Sequence, residues 1–211
     1  MSILHGIKFI DVNSNIEKHS YRDFGLILEN QDIKTPEPYT YTVDIPFKNG
    51  SLDLTETFGE VTYKDRSIKF VFNCIEGLQA WETRKTQIAN FIHGAKMKII
   101  TWSDPNYYYI GRCNVDDYNS SKTKCTVSIS CNCEPFKYHH DITTVNIVSG
   151  DNTVENTRML TFADLTCPKI TIVNGTTYTT GTHLKAIKLS SGSNVITSDG
   201  EATLTFRKGE L

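Results

Sequence analysis

The sequence carries no surplus of charge: 22 Lys and Arg face 24 Asp and Glu in 211 residues, a formal net charge of −2. A surface built to coat nucleic acid needs a basic excess to neutralise phosphates, so that class is not indicated. No apolar run approaches the roughly 18 residues of a membrane-spanning helix. The opening Met1-Ser2-Ile3-Leu4-His5-Gly6 has no basic stretch leading into an apolar core, so synthesis and retention in a cytoplasm are expected. Also missing are G-x-S-x-G, H-E-x-x-H, G-x-G-x-x-G and a P-loop, the compact motifs of nucleophilic, zinc and phosphate chemistry. The histidines at 5, 19, 93, 139, 140 and 183 are scattered.

What is present is apolar and aromatic. At 38% hydrophobic and 10% aromatic residues the chain can bury real cores, and its length suits one large or two small domains. Composition changes near residue 140. Of the 22 Phe, Tyr and Trp, only Phe162, Tyr178 and Phe206 lie beyond it, whereas residues 141–211 hold 15 threonines. The division expected is therefore a domain over residues 1–140 and a smaller one over 141–211, joined around Tyr138-His139-His140-Asp141. Neither half has a charge bias that names a partner.

Most of the first domain reads as strands. Tyr39, Tyr41, Val43 and Ile45 alternate with Thr40, Thr42 and Asp44, a period of two, bounded by Pro36, Pro38 and Pro46. Lys48-Asn49-Gly50-Ser51 reads as a turn. Ile68, Phe70, Phe72 and Cys74 share a face, and Asp104-Pro105-Asn106 separates strands near 96–102 and 107–115. One stretch breaks the pattern. Between about 77 and 93, Leu78, Trp81, Ile88, Phe91 and Ile92 fall on one stripe at helical spacing, with Gly94 placed as a C-terminal cap. The first domain is thus expected as a β-sandwich or small barrel with one packed helix. The second is expected as a compact all-β sandwich with strands near 143–148, 158–162, 168–173, 183–189, 194–197 and 201–207, and hairpin turns at Asn174-Gly175 and Asp199-Gly200.

Several residue groups invite a chemical role and receive a plainer reading. Cys125, Cys131 and Cys133, with His139 and His140 behind them, resemble metal ligands. Yet Cys125, Val127, Ile129, Cys131 and Cys133 interleave with Thr126, Ser128, Ser130 and Asn132, which places the thiols on the apolar face of a strand. Zinc sites pair their ligands at C-x-x-C spacing, which Cys131-Asn132-Cys133 lacks. Asp11, Asn13 and Asn15 open like a calcium loop, but Ile16 stands in place of the turn glycine and Arg22 in place of the bidentate acid, so a polar turn is expected. Asp116-Asp117 is read as loop carboxylates pointing to opposite faces. His93, before the capping Gly94, suits the negative end of the helix dipole. Tyr107-Tyr108-Tyr109 could stack on sugars or bases; alternation splits the three between faces, and a packed aromatic strand, at a subunit contact, is the reading preferred. No catalytic, metal-ligating or cofactor-binding residue is assigned, no cofactor is called for, and an assembly or binding part is expected rather than an enzyme.

The chain carries Asp44-Ile45-Pro46-Phe47-Lys48-Asn49-Gly50-Ser51-Leu52-Asp53-Leu54-Thr55, then Asp65-Arg66-Ser67-Ile68 before an aromatic strand, then Ile88-Ala89-Asn90-Phe91-Ile92-His93-Gly94-Ala95-Lys96-Met97-Lys98-Ile99. Asp104-Pro105, Tyr108-Tyr109-Ile110-Gly111-Arg112 and Cys133-Glu134-Pro135-Phe136-Lys137-Tyr138 follow. In this order these segments resemble the distal tail protein family of long-tailed, non-contractile bacteriophages. Towards the C-terminus, Pro168-Lys169-Ile170-Thr171-Ile172 and the run from Gly200 to Leu211 are similar to the family's ending.

The resemblance implies a structural virion protein at the tail tip, made in the bacterial host cytoplasm. In that family a tail-tube-like β-sandwich with its helix closes into a hexameric ring, and a small galectin-like β-sandwich projects outward. Implied partners are further copies of the chain, the last tail-tube ring, the tail-associated hub protein and a receptor-binding protein. DNA would pass the lumen without specific binding. Ring contacts are expected among aromatic and Arg positions of residues 1–140, with none singled out. The alternative is a glycan-binding, lectin-like module in residues 141–211 that adheres to host cell walls; against it, that domain has no Trp and one Tyr.

Overall fold

Among the residues that the computed structural model describes, 6–57, 59–74, 78–120 and 125–211, strands dominate, and the side chains of residues 78–80 fall outside that description. The opening Met1 to His5 and the expected helix start at Gly77 lie outside the described residues. The chain divides into two units, Met1–Pro135 and Phe136–Leu211, each with its own core.

The first unit contains β1 (Ile7–Asp11), β2 (Glu17–His19), α1 (Ser20–Phe24), β3 (Leu26–Ile33), β4 (Thr42–Asp44) and β5 (Ser51–Asp53). It continues with β6 (Arg66–Cys74), α2 (Leu78–Ile92), β7 (Lys96–Thr101), β8 (Tyr107–Ser120) and β9 (Cys125–Cys133). Seven strands pair in the order β2-β1-β7-β8-β9-β6-β3, every neighbour antiparallel, while β4 and β5 form a separate hairpin. Alternation explains the pairing. Ile68, Phe70 and Phe72 of β6 are buried and lie against Cys131, Ile129 and Val127 of β9, with the intervening polar residues facing away. Cys74, on the same face at the strand end, is half-buried. Each fully buried large side chain contributes roughly 1.5–3 kcal/mol relative to exposure.

The helix α2 covers this apolar face with Trp81, Ile88 and Ile92, as its stripe requires, and Trp81 meets Tyr118 edge to face at 6.0 Å. It stops at Gly94, whose φ of 75° a β-carbon would disfavour. The Gly94 N–H then donates to the Cys113 carbonyl at 2.8 Å, so the helix end is fastened to β8. His93 is also used by the sheet: its Nδ1 accepts the Val115 N–H at 3.2 Å, which ties the helix end to β8.

A second, short helix corrects the expectation of one. α1 forms because the His19 side chain accepts the Tyr21 and Arg22 N–H groups while the Asp23 carboxylate accepts the His19 N–H at 2.6 Å. Five residues are too few for a periodic stripe to show in sequence.

The second unit contains β10 (Lys137–His139), β11 (Thr143–Ile147), β12 (Gly150–Asn156), β13 (Thr161–Cys167) and β14 (Thr171–Val173). After these come β15 (Thr176–Tyr178), β16 (Gly181–Leu189), β17 (Gly192–Ser198), β18 (Ala202–Phe206) and β19 (Gly209–Glu210). Two four-stranded sheets, β11-β18-β13-β16 and β12-β17-β14-β15, bury Leu165, Leu204, Leu189 and Phe206 from one side and Val154, Val173 and Ile196 from the other. This is a sandwich. Asn174-Gly175 closes the β14–β15 hairpin as expected. Asp199-Gly200 does not close a hairpin. It carries the chain from β17 in one sheet to β18 in the other, and the Asp199 carboxylate accepts the Ile172 N–H at 2.7 Å. The strand expected at 158–162 begins only at Thr161, and β12 has no counterpart among the expected strands.

Candidate assembly surface

Between β3 and β6 the chain leaves the sheet and returns. β3 and β6 pair up to Ile33 opposite Ile68, and the Lys34 N–H donates to the Ser67 carbonyl at 3.1 Å. The described residues between form an arm of two facing segments. Near its base the Lys64 N–H donates to the Glu37 carbonyl at 2.8 Å and the Tyr39 N–H to the Thr62 carbonyl at 2.9 Å. Further out the Leu54 N–H donates to the Tyr41 carbonyl at 2.8 Å and the Tyr41 N–H to Thr55 Oγ1 at 3.0 Å. The distal end is the β4–β5 hairpin, with left-handed residues at Phe47 and Gly50 in its turn.

Every residue from 37 to 53 is exposed. Tyr39 is 56% exposed, Tyr41 57% and Phe47 fully, and Val43, Ile45 and Leu52 are also open to solvent. The alternation expected for Tyr39, Tyr41, Val43 and Ile45 is therefore a strand pattern whose apolar side chains stay between 36% and 57% exposed. Isolated two-stranded hairpins are marginal in water, and contiguous exposed apolar surface of this kind marks an interaction site. The sign in the sequence was Pro36, Pro38 and Pro46, since prolines this close are incompatible with a central strand. Polar pins shape the arm: Asp53 accepts from the Thr55 N–H and hydroxyl, which holds its carboxyl below the usual range, and Lys64 pairs with Glu37 at 3.1 Å.

The other singled-out residues do not converge on a site. Asp11 accepts the Asn13 N–H at 2.7 Å, a polar turn between β1 and β2, and that bond holds its carboxyl below the ordinary range. Asp116 and Asp117 sit within β8, not in a loop; a bulge between Val115 and Asp117 breaks the alternation so that both are exposed, and Asp116 accepts the Ser130 hydroxyl at 2.6 Å. Tyr108 and Tyr109 are both buried although adjacent, with Lys98 over one ring at 5.5 Å and Arg66 over the other at 5.2 Å. Their alternation fails because β8 is covered on both faces there. Cys113, Cys125, Cys131 and Cys133 are buried among Val127, Ile129 and Phe70. In the second unit Phe206 is buried and Tyr178 packs on His183 at 5.1 Å, which leaves Phe162 as the exposed ring among them. A shallow groove of about 430 Å³ lined by Leu28, Asn30, Gln31 and Trp102 was not foreseen.

No protein-family model matches the chain, and no curated protein matches it. Among solved structures it is similar to the SPP1 Dit (gp 19.1) protein, described as a paradigm of the hub adsorption apparatus in phages that infect Gram-positive bacteria. The TM-score is 0.73 at 12% identity, over 97% of this chain and 99% of that one. The resemblance carried by the sequence segments therefore has a counterpart in three dimensions: this chain has the mainly β fold of a phage distal tail protein.

Proposed function

We propose that the chain is a distal tail protein, a structural part of the phage tail tip. Residues 1–140 close into a ring of six copies that continues the tail tube. Residues 141–211 form a smaller, galectin-like module outside the ring, where a receptor-binding protein docks. The last tail-tube ring above and the tail-associated hub protein below are its axial partners, and DNA passes the lumen without specific binding.

The observation that carries this reading is the exposed arm, on a fold shared with SPP1 Dit. An apolar ribbon left partly open to solvent is buried further when it laps onto the next copy. Contacts of one patch with a different patch, repeated around an axis, generate a ring when the rotation closes. The net charge of −2 is compatible with a channel that does not hold phosphates. Light scattering on the size-exclusion peak and negative-stain imaging test it. A mass of six chains and rings with a central hole are expected; a monomer at high concentration with no ring refutes it.

A further inference from the structure

The sheet of the first unit holds a pair of thiols in an unusual relation. Cys113 of β8 lies directly opposite Cys131 of β9, and their Sγ atoms are 2.7 Å apart. The backbone bonding identifies the kind of pair. The Cys113 N–H donates to the Ala95 carbonyl at 3.0 Å, and the Cys113 carbonyl accepts the Gly94 N–H at 2.8 Å. Both main-chain groups of Cys113 thus point away from β9. Toward β9 the pair is the non-hydrogen-bonded kind, whose Cα atoms stand about 4.5 Å apart with side chains closest. That spacing falls within the range of roughly 4.4–6.8 Å that a disulfide spans, so a bond closes with little backbone movement.

The cross-strand neighbours of the other thiols are not cysteines. Across from Cys133 stands Gly111, across from Cys125 stands Ser120, and Cys74 faces Leu26. Cys167, in the second unit, faces Gly181.

We propose that Cys113 and Cys131 are a cross-strand disulfide site, oxidised by a low-molecular-weight disulfide when the chain folds outside a reducing compartment. One thiolate of the pair attacks a sulfur of the small disulfide and expels one small thiolate. The second thiolate attacks the resulting mixed disulfide at the protein sulfur and expels the other. Two protein thiols lose two electrons and two protons, and two small thiols carry them away. The proposal stands on the first unit alone and holds whether or not the copies form a ring.

Burial decides when this happens. Cys113 is 0% and Cys131 1% exposed, so oxidant reaches them before β8 and β9 close. After closure the bond is shielded from reductant. In the reduced protein the hydrogen bond with Cys113, then burial, raises the Cys131 thiol well above its ordinary range and keeps it inert.

The test is to refold the reduced full-length chain in glutathione redox buffer and, in parallel, in dithiothreitol. Remaining thiols are alkylated under denaturing conditions, and unreduced peptides are mapped by mass spectrometry. The expected product in glutathione is one linkage, Cys113 to Cys131, with the other four cysteines alkylated. Because the bond closes a short loop of the unfolded chain, the oxidised form melts about 5–10 °C higher. Cys113→Ala and Cys131→Ala each remove the linkage and the shift. Six alkylated thiols, or a main linkage through Cys74, Cys125, Cys133 or Cys167, overturns the proposal. The wild-type peptide map decides even if the alanine variants fail to fold.

Discussion

Replacing Tyr41 and Phe47 together by Ser separates what the arm does for one chain from what it does for an assembly. Both side chains are more than half exposed, and both lie beyond the base of the ribbon. In the single chain their removal uncovers no core, and exposed substitutions of this kind stay within about 0.5 kcal/mol each. The monomer should therefore melt within about 2–4 °C of the parent. If a neighbouring copy buries both rings, each contributes roughly 1.5–3 kcal/mol, or about 3–6 kcal/mol per contact. At about 1.4 kcal/mol per tenfold, the association constant of each contact falls by two to four orders of magnitude. Light scattering over a dilution series reads the assembly, and differential scanning calorimetry at a concentration where both proteins are monomeric reads the fold. An unchanged ring population refutes the assignment of the arm to the interface. A melting temperature lowered by ten degrees or more refutes it too, because the rings would then be supporting the chain's own core.

Three further outcomes follow from the packing. Gly111→Ala should destabilise the first unit by about 1–3 kcal/mol or more, because the new methyl meets the Asn132 carbonyl, Cys133 Sγ and Cys133 Cα at 2.7 Å, and backbone cannot yield; urea unfolding measures it. Leu204→Ala, in the second core, should cost about 2–5 kcal/mol in the same assay, since the side chain is fully buried between the sheets. Burial, then the nearby Arg22, holds His19 below its ordinary value of 6.5, so the unfolded chain takes up that proton first as pH falls. Its contribution is full above about pH 6.5 and is lost as pH drops below that. His19→Asn, which still caps α1 but does not titrate, should flatten part of the fall in melting temperature between pH 7.5 and 5; an identical slope in both proteins counts against it.

Long, regular patterns were legible in the sequence. The stripe of α2, the alternation of β6 and the burial of the odd-numbered residues in β9 all follow from period alone. Where a polar residue takes an inward position, the pattern fails. β12 has Val154 and the buried Asn156, whose amide donates to the Met159 and Leu189 carbonyls, so no alternation shows. α1 depends on a histidine cap, a residue type with weak capping preference. Asp199-Gly200 has hairpin chemistry, yet its carboxylate serves a different strand. For the candidate surface, the apolar residues of the arm were visible and their cover was not. A period of two says that Tyr39, Tyr41, Val43 and Ile45 share a side, and it is silent on whether the covering atoms belong to the same chain.

The closure of β3 on β6 beneath the arm has an evolutionary corollary. Ile33 and Ile68 face one another at a junction already sealed by the Lys34–Ser67 bond, so everything beyond it is an excursion that starts and finishes at nearly one point. Loop closure depends only weakly on length. The excursion is thus free to lengthen, shrink or change its chemistry while the framework below keeps its register, and adaptation to a new neighbour needs no redesign of the host domain.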